Sequence, residues 1–159
     1  MLLMLCLLGG LPFSGRVVDV LEGDVIQVEC NNRLSIIRLS EINAPPIGTL
    51  NGEVAKERLA RKILGRKVTV VWEGIGRNRR LLGTIICENE NINQWLVRSG
   101  LAYHFKVVSD SKELATLELE AMEAHRGIWQ GEILFPDPET WVDVGVRPLT
   151  PTRIHRPDY

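Results

Sequence analysis

The chain has 159 residues, enough for one domain with its own hydrophobic core, and its apolar (45%) and charged (25%) fractions are those of an ordinary globular protein. Its formal net charge of −1 excludes an overall electrostatic attraction to nucleic acid or to an anionic membrane. The three cysteines, Cys6, Cys30 and Cys87, form neither a paired framework nor a CxxC metal spacing, so we expect free thiols.

The first 14 residues form an unusually apolar segment that begins MLLMLCLLGGLP. Its apolar run is too short to span a bilayer as a helix. It resembles the hydrophobic part of a secretory signal, although no lysine or arginine precedes it and no clear cleavage site follows. A degenerate signal, a membrane-surface anchor and an arm docked on a partner all stay open. The compartment stays open with them, whether exported, periplasmic or membrane-associated.

Residues 15–42, GRVVDVLEGDVIQVECNNRLSIIRLSEI, predict three strands, because β-branched and apolar residues are divided by the turn segments EGD and NN. Residues 51–64, NGEVAKERLARKIL, predict a helix with Ala55, Leu59 and Ile63 on one apolar stripe. Two further strands are predicted over KVTVVW (67–72) and LLGTIIC (81–87), with the basic turn RNRR between them.

Helical spacing dominates the next part of the chain. A short helix is predicted over INQWLVRSG, ended by Gly100, and a longer one over SKELATLELEAMEAHRG, from near Ser111 to a stop at Gly127. Residues 131–159 are proline-rich and predict an irregular tail.

This order of elements predicts the fold class. Three strands, a helix, two strands and then helices is the order of a five-stranded Greek-key barrel with an inserted helix, the OB-fold. We therefore predict a mostly β, α+β domain over residues 15–130, between an N-terminal arm (1–14) and the C-terminal tail (131–159). A small open α+β sheet with flanking helices is the competing architecture.

Charge is distributed unevenly along the chain. From Lys56 to Arg80 there are nine basic residues against two acids, and from Asp110 to Asp143 nine acids against two basic residues. A basic face beside an acidic region would suit a phosphate-bearing ligand. Solvated helix faces are the simpler interpretation of the same pattern.

Six segments occur in an order that matches a known family. They are GRVVDVLEGDVIQV, IRLSEINAPP, NGEVAKERL, RNRRLLGTI, NINQWLVRSGLAYHF and RGIW. Together they resemble the staphylococcal-nuclease-like (thermonuclease) family over roughly residues 15–130. The resemblance implies the OB barrel. It also implies a phosphodiesterase site in which two arginines bind the phosphate, a glutamate acts as base and aspartates hold Ca²⁺.

The resemblance places the two catalytic arginines at Arg38 and Arg80, with Arg77 and Arg79 adding positive charge beside Arg80. Guanidinium groups stabilise the negative charge that develops on phosphate oxygens during hydrolysis. Arg38 and Arg80 are therefore the candidate phosphate clamp, and all four arginines are candidates for binding phosphate or nucleic acid.

The acidic half of the implied site is incomplete. Asp24 keeps one metal carboxylate, with Glu22 as an outer substitute, but the second metal aspartate corresponds to Asn43, whose neutral amide is a poorer Ca²⁺ ligand. The glutamate base corresponds to Pro46, and a missing general base typically lowers the rate by about 10²–10⁴. We expect no required cofactor, with Ca²⁺ bound at Asp24 and Asn43 only at low affinity.

Other residues are weaker candidates. Glu41 and Glu53 are the candidates for a replacement base, although a solvent-facing turn glutamate and a helix N-terminal charge are the simpler interpretations. Core packing is expected for Trp72, Trp95 and Trp129, and Tyr103 and Phe105 are expected near the ligand pocket, at its rim or in the core.

The sequence thus predicts a nuclease-like OB domain, catalytically impaired or inactive, that acts as a phosphate- or nucleic-acid-binding or protein-interaction module. The alternative is an active Ca²⁺-dependent endonuclease that cuts DNA or RNA with a relocated base. Nucleic acid is the candidate ligand. A protein partner or larger assembly is expected to contact residues 1–14 and 131–159, and the N-terminal arm is a candidate for membrane contact.

Overall fold

The computed structural model describes residues 11–130, and the predictions for residues 1–10 and 131–159 lie outside this part. The strands are β1 (Phe13–Glu22), β2 (Val25–Cys30), β3 (Arg33–Leu39), β4 (Ile42–Asn43), β5 (Lys67–Ile75), β6 (Leu81–Cys87), β7 (Glu90–Asn91) and β8 (Tyr103–His104). The helices are α1 (Leu50–Ile63), α2 (Ile92–Arg98) and α3 (Lys112–Glu123). Short 3-10 turns cover Arg77–Arg79 and Gly127–Trp129.

The five long strands close into a barrel. Neighbours in the order β3-β2-β1-β5-β6 pair antiparallel. Strands β3 and β6 then pair in parallel, from Ile37 opposite Leu81 to Leu39 opposite Gly83. This pairing joins the two edges, so the OB barrel is confirmed over the open sheet. Strand β1 begins at Phe13, two residues before the predicted domain boundary.

Alternation along the strands separates the core from the barrel's outer surface. Val17, Ile26 and Ile37 are fully buried in the core. On β3, however, Leu34 is 61% exposed and Ile36 is 37% exposed, because successive side chains of a strand point to opposite faces. Leu34 and Ile36 therefore form an apolar patch on the outer surface of β3.

Helix α1 confirms the helix predicted between the strands. Thr49 caps it, its hydroxyl accepting a hydrogen bond from Gly52 N at 3.1 Å. The predicted stripe of Ala55, Leu59 and Ile63 is fully buried against the barrel. Among residues 11–130, no helix combines the length and apolarity needed to cross a membrane.

Helix α3 ends earlier than predicted. It stops at Glu123 and not at Gly127, because His125 turns into the left-handed region with φ of +49°. Gly127, with φ of +54°, instead permits a close approach of two loops. A Cβ atom on Gly127 would lie 2.0 Å from the carbonyl oxygen of Gly100. The glycine is needed for packing and does not end the helix.

Candidate active site

The β1–β2 turn and strands β3 and β4 bring three predicted site residues into contact. Asp24 precedes Val25, which pairs with Arg38 across the β2–β3 ladder. Arg38 Nη2 donates to Asn43 Oδ1 at 2.7 Å and lies 3.2 Å from Asp24 Oδ2. The backbone N–H of Ala44 donates to the same Asp24 oxygen at 3.1 Å. Both predicted metal ligands therefore face the guanidinium of Arg38.

Arg80 immediately precedes β6, the strand that pairs with β3. Its Nη1 is 3.5 Å from Glu22 Oε1. A cavity of about 440 Å³, which we call the arginine cavity, is lined by Arg38, Arg77 and Arg80 together with Glu41, Glu73 and Phe105. Three of the four predicted phosphate-binding arginines therefore share one cavity.

Arg79 points elsewhere. It lines a second depression, the outer groove, on the other side of the Arg77–Arg79 turn. The outer groove is formed by residues 30–36 at the β2–β3 turn, Leu11 and Phe13 near the start of β1, and Trp72, Ile75, Asn78, Arg79 and Leu81 around β5 and β6. The structure does not bring Arg79 together with the other three arginines.

The carboxyl group of Asp24 is almost completely removed from solvent, at 2% exposure of the residue. Burial raises the pKa of this carboxyl above its usual range, since desolvation disfavours the charged form. The nearby Arg38 guanidinium and the Ala44 N–H lower the pKa but do not offset the burial. The electrostatic environment of Asp24 is thus unfavourable to ionisation despite its ion pair.

Position 46 shapes the turn into α1. Pro46 is exposed, and its carbonyl accepts hydrogen bonds from the hydroxyl and the backbone N–H of Thr49, at 2.7 Å and 3.3 Å. Gly52 packs beneath it so closely that a Cβ atom there would lie 2.0 Å from the Pro46 oxygen. The position implied for the base therefore carries no group that accepts a proton from water.

Glu41 lies in the turn between β3 and β4 and is half-buried where it lines the arginine cavity. Ser109 Oγ donates to Glu41 Oε1 at 2.6 Å, and His104 Nε2 lies 3.1 Å from Ser109 Oγ. Because the serine hydroxyl proton is committed to Glu41, Nε2 of His104 must carry the hydrogen that bonds Ser109. A buried serine and histidine thus hold Glu41 at the cavity.

Two further glutamates have simple roles. Glu53 accepts a hydrogen bond from Gly48 N at 3.1 Å at the start of α1, as expected of a helix N-terminal charge. Glu73 lines the arginine cavity and accepts a hydrogen bond from Thr84 Oγ1 at 3.0 Å. Of these two, Glu73 alone contributes negative charge to the cavity lining.

The aromatic side chains divide between the core and the surface. Tyr103 packs edge-on against the buried Trp129, with ring centroids 5.4 Å apart, while Phe105 lines the arginine cavity. The core position expected for Trp72 is wrong, because it is half-buried in the outer groove. Its indole N–H donates to Gly74 O at 2.6 Å, which fixes the ring at the groove wall.

The residues present do not fit the Ca²⁺ that the resemblance implies. Ca²⁺ takes about six to eight oxygen ligands, several of them carboxylates. Here Asp24 Oδ2 and Asn43 Oδ1 both face Arg38 Nη2, and Glu22 pairs with Arg80. Within residues 11–130, no group of three His, Cys, Asp or Glu side chains could hold a metal ion. The Arg38 guanidinium is the cation between Asp24 and Asn43.

The contact between Ser109 and Glu41 is the site feature that sequence reasoning missed. The two residues are 68 positions apart, so no local spacing pattern relates them. No sequence pattern indicated a role for His104 either, because the connection between β8 and α3 brings Ser109 next to it only in the folded chain. Arg38, Asp24 and Asn43 were predicted because they fall in two segments that carry the family resemblance, GRVVDVLEGDVIQV and IRLSEINAPP.

Comparison with known proteins identifies the domain. Residues 36–131 match the family of staphylococcal nuclease homologues. A protein named Uncharacterized endonuclease from Escherichia coli O157:H7 is 34% identical over 116 residues, covering 72% of this chain and 76% of that protein. A Micrococcal nuclease of Shigella flexneri is 30% identical over 128 residues, 74% of either chain. Protein ParB of Escherichia coli is 32% identical over 126 residues, 72% of this chain and 71% of that protein. The chain belongs to the staphylococcal nuclease homologue family.

Proposed function

We propose that this nuclease-family domain binds the phosphate of a nucleic acid through Arg38 and Arg80 and is impaired in hydrolysing it. One observation carries the proposal. Two family arginines face the same cavity, while Arg38 occupies the oxygens of Asp24 and Asn43 that a metal ion would need. The site offers guanidinium groups to an anion but no matching set of oxygens to a cation.

The exposure of the arginines supports binding. The side chains of Arg38 and Arg80 are 20% and 30% exposed, which leaves part of each guanidinium accessible from the cavity. Arg77 adds a third guanidinium and makes no side-chain hydrogen bond or ion pair with any residue between 11 and 130. Because Asp24 and Glu22 compete for the other two, we expect moderate affinity with a clear dependence on salt.

Impairment follows from the chemistry of positions 43 and 46. Proline cannot take a proton from the attacking water, and this loss lowers the rate of hydrolysis by about 10²–10⁴. The neutral Asn43 weakens the cation's stabilisation of the transition state as well, although losses within one catalytic unit do not simply multiply. Phosphate binding through arginine needs neither group.

A binding measurement tests the proposal. A 5′-phosphorylated fluorescent oligonucleotide should bind the full chain in the presence of a chelator, and its affinity should fall as salt rises, with a slope of about −2 in the logarithmic plot for about three phosphate contacts. Arg38→Ala and Arg80→Ala should each weaken binding by about tenfold or more.

Arg58→Ala is the matched control, since Arg58 is exposed on α1 and does not line the arginine cavity. Its affinity should stay within about twofold of the unaltered chain. Equal losses in Arg58→Ala and Arg38→Ala would show general charge attraction and would contradict a defined clamp.

A second candidate function rests on Glu41. This carboxylate lines the same cavity as Arg38 and Arg80 and is held by Ser109, so it is placed to serve as a relocated base in Ca²⁺-dependent hydrolysis. The shortage of metal ligands argues against this function.

Cleavage of plasmid DNA and of RNA with Ca²⁺, compared between the unaltered chain and Glu41→Gln, separates the two functions. The first proposal predicts no cleavage by either. Chelator-sensitive cleavage that Glu41→Gln lowers about 100-fold would establish the second instead.

A further inference from the structure

The outer groove has the composition of a site for a flat, partly apolar ligand. Its volume is about 960 Å³. Leu34 and Ile75 present large apolar surfaces there, 61% and 65% exposed, beside the half-buried ring of Trp72. Leaving several such side chains exposed together is unfavourable in water, so a contiguous patch of this kind indicates a bound partner.

The charge and the polar groups of the outer groove restrict what that partner is. Arg33 and Arg79 both line it, and its described lining residues include no Asp or Glu. Neither arginine side chain has a hydrogen bond or ion pair to another residue between 11 and 130. The amides of Asn31, Asn32 and Asn78 add donors and acceptors at the edge. The groove therefore suits a ligand with a flat apolar face, polar edges and negative charge.

The outer groove adjoins the arginine cavity. Asn78 lines both, and the turn of Arg77 to Arg79 forms the wall between them. Asn78 and Arg79 have φ of +55° and +58°, as the two central residues of a primed hairpin turn do, and Arg80 N donates to Arg77 O at 3.2 Å across that turn. This backbone directs Arg77 to the cavity and Arg79 to the groove.

We propose that the outer groove binds a nucleobase of a single-stranded nucleic acid whose adjacent phosphate lies in the arginine cavity. A nucleobase supplies the flat face and the polar edges, and its backbone supplies the negative charge for Arg33 and Arg79. Base stacking on aromatic and apolar side chains stabilises single-strand complexes without strict sequence preference. In a duplex the base faces are already stacked, so the ligand is unpaired. This inference rests on the proposed function, because it needs phosphate in the arginine cavity.

The test compares two oligonucleotides of equal length and charge, one normal and one abasic at every position, in binding to the full chain. The unaltered chain should bind the normal strand about tenfold or more tightly than the abasic strand. The double variant Leu34→Ala/Ile75→Ala should lose most of this difference while its affinity for the abasic strand stays unchanged. Leu119→Ala is the matched control, because Leu119 is 54% exposed on α3 and outside the groove.

The possible outcomes distinguish base binding in the outer groove from phosphate binding in the arginine cavity. Equal affinity for both strands, each lost in Arg38→Ala, would overturn the base-binding groove and leave the phosphate clamp standing. No affinity for either strand would overturn both. A base preference that survives the groove variant, or that Leu119→Ala removes equally, would also contradict the assignment. If the groove instead binds an apolar peptide, which could be residues 1–10 of this chain, the normal and abasic strands should bind with equal affinity.

Discussion

Arg38 and Asp24 form a pair in which each side chain constrains the other. The guanidinium is held toward Asp24 and Asn43, so the arginine is positioned before any ligand arrives. Burial nevertheless raises the pKa of the Asp24 carboxyl, because the attraction of Arg38 is smaller than the cost of removing the carboxylate from water. Under the proposed function, Asp24 therefore competes with a phosphate for Arg38, and its ionised form also lowers the stability of the fold.

Asp24→Asn is expected to strengthen phosphate binding. Asparagine keeps an oxygen for the Ala44 N–H but removes the charge that holds Arg38, so the affinity for a 5′-phosphorylated oligonucleotide should rise about fivefold. Fluorescence anisotropy measures the change. A lower affinity of Asp24→Asn, together with an affinity that added Ca²⁺ raises in the unaltered chain but not in the variant, would show that Asp24 binds a metal ion. That result would contradict the phosphate clamp.

The same variant has a defined pH signature. A carboxyl whose folded pKa lies above its unfolded value binds protons more tightly when folded, so the unaltered chain gains stability as pH falls through the folded pKa. Asp24→Asn should therefore have the larger free energy of unfolding at neutral pH, and this advantage should shrink toward acid pH. Urea unfolding at a series of pH values measures it. An advantage independent of pH would contradict the raised pKa.

At the residue scale, the sequence predicted candidate site residues but not the contacts among them. Asp24, Arg38 and Asn43 were predicted from the family resemblance, and the structure brings all three into contact. The environment of Glu41 was not predictable, because it depends on a φ of +63° and on Ser109 far along the chain. Trp72 was misassigned to the core because an apolar strand position is indistinguishable, in sequence, from one facing a groove.

At the element scale, α3 secures the back of the site through Glu118. This glutamate is 4% exposed, accepts the backbone N–H of His104 on β8 at 2.9 Å, and pairs with Lys106 Nζ at 2.6 Å. Strand β8 pairs with β4, where Ile42 lies opposite His104. The chain of contacts from α3 to β8 to β4 thus ends next to Glu41 and Asn43.

Glu118→Ala is expected to destabilise the fold by about 2 kcal/mol, because it leaves the buried N–H of His104 without an acceptor. Glu120→Ala is the matched control on the same helix; Glu120 is exposed, and its change should stay within about 0.5 kcal/mol. Denaturant unfolding measures both. Equal effects of the two substitutions would contradict the role of Glu118 as an anchor between α3 and β8.

The elements themselves were largely predictable, and their ends were not. Helix α1 and strand β6 occupy the predicted segments because apolar spacing and the flanking turns agree there. The end of α3 was misplaced because a glycine is a strong helix-stop signal in sequence. Gly127 is required instead because it packs closely on Gly100, where a Cβ atom would not fit. A tertiary contact of this kind leaves no local pattern.

At the scale of the whole molecule, barrel closure places the two arginines together. The parallel pairing of β3 with β6 sets Arg38 opposite Leu82, two residues from Arg80. The order of strands predicted the barrel, but sequence could not show which side chains would meet across this seam. Part of the uneven charge along the chain is neutralised locally, as in the pairs of Lys62 with Glu90 and Arg66 with Glu88. We propose the arginine cavity, and not a broad basic face, as the phosphate site.

We propose, above all, that the site binds phosphate but lacks the groups that activate water. The most direct test is single-turnover cleavage of a single-stranded oligonucleotide in Ca²⁺, comparing the unaltered chain with Asn43→Asp/Pro46→Glu, which supplies the missing carboxylates. We expect background cleavage by the unaltered chain and a rate at least about 100-fold higher for the double variant, abolished by adding Arg38→Ala. Chelator-sensitive cleavage by the unaltered chain, as fast as that of the double variant, would contradict this proposal.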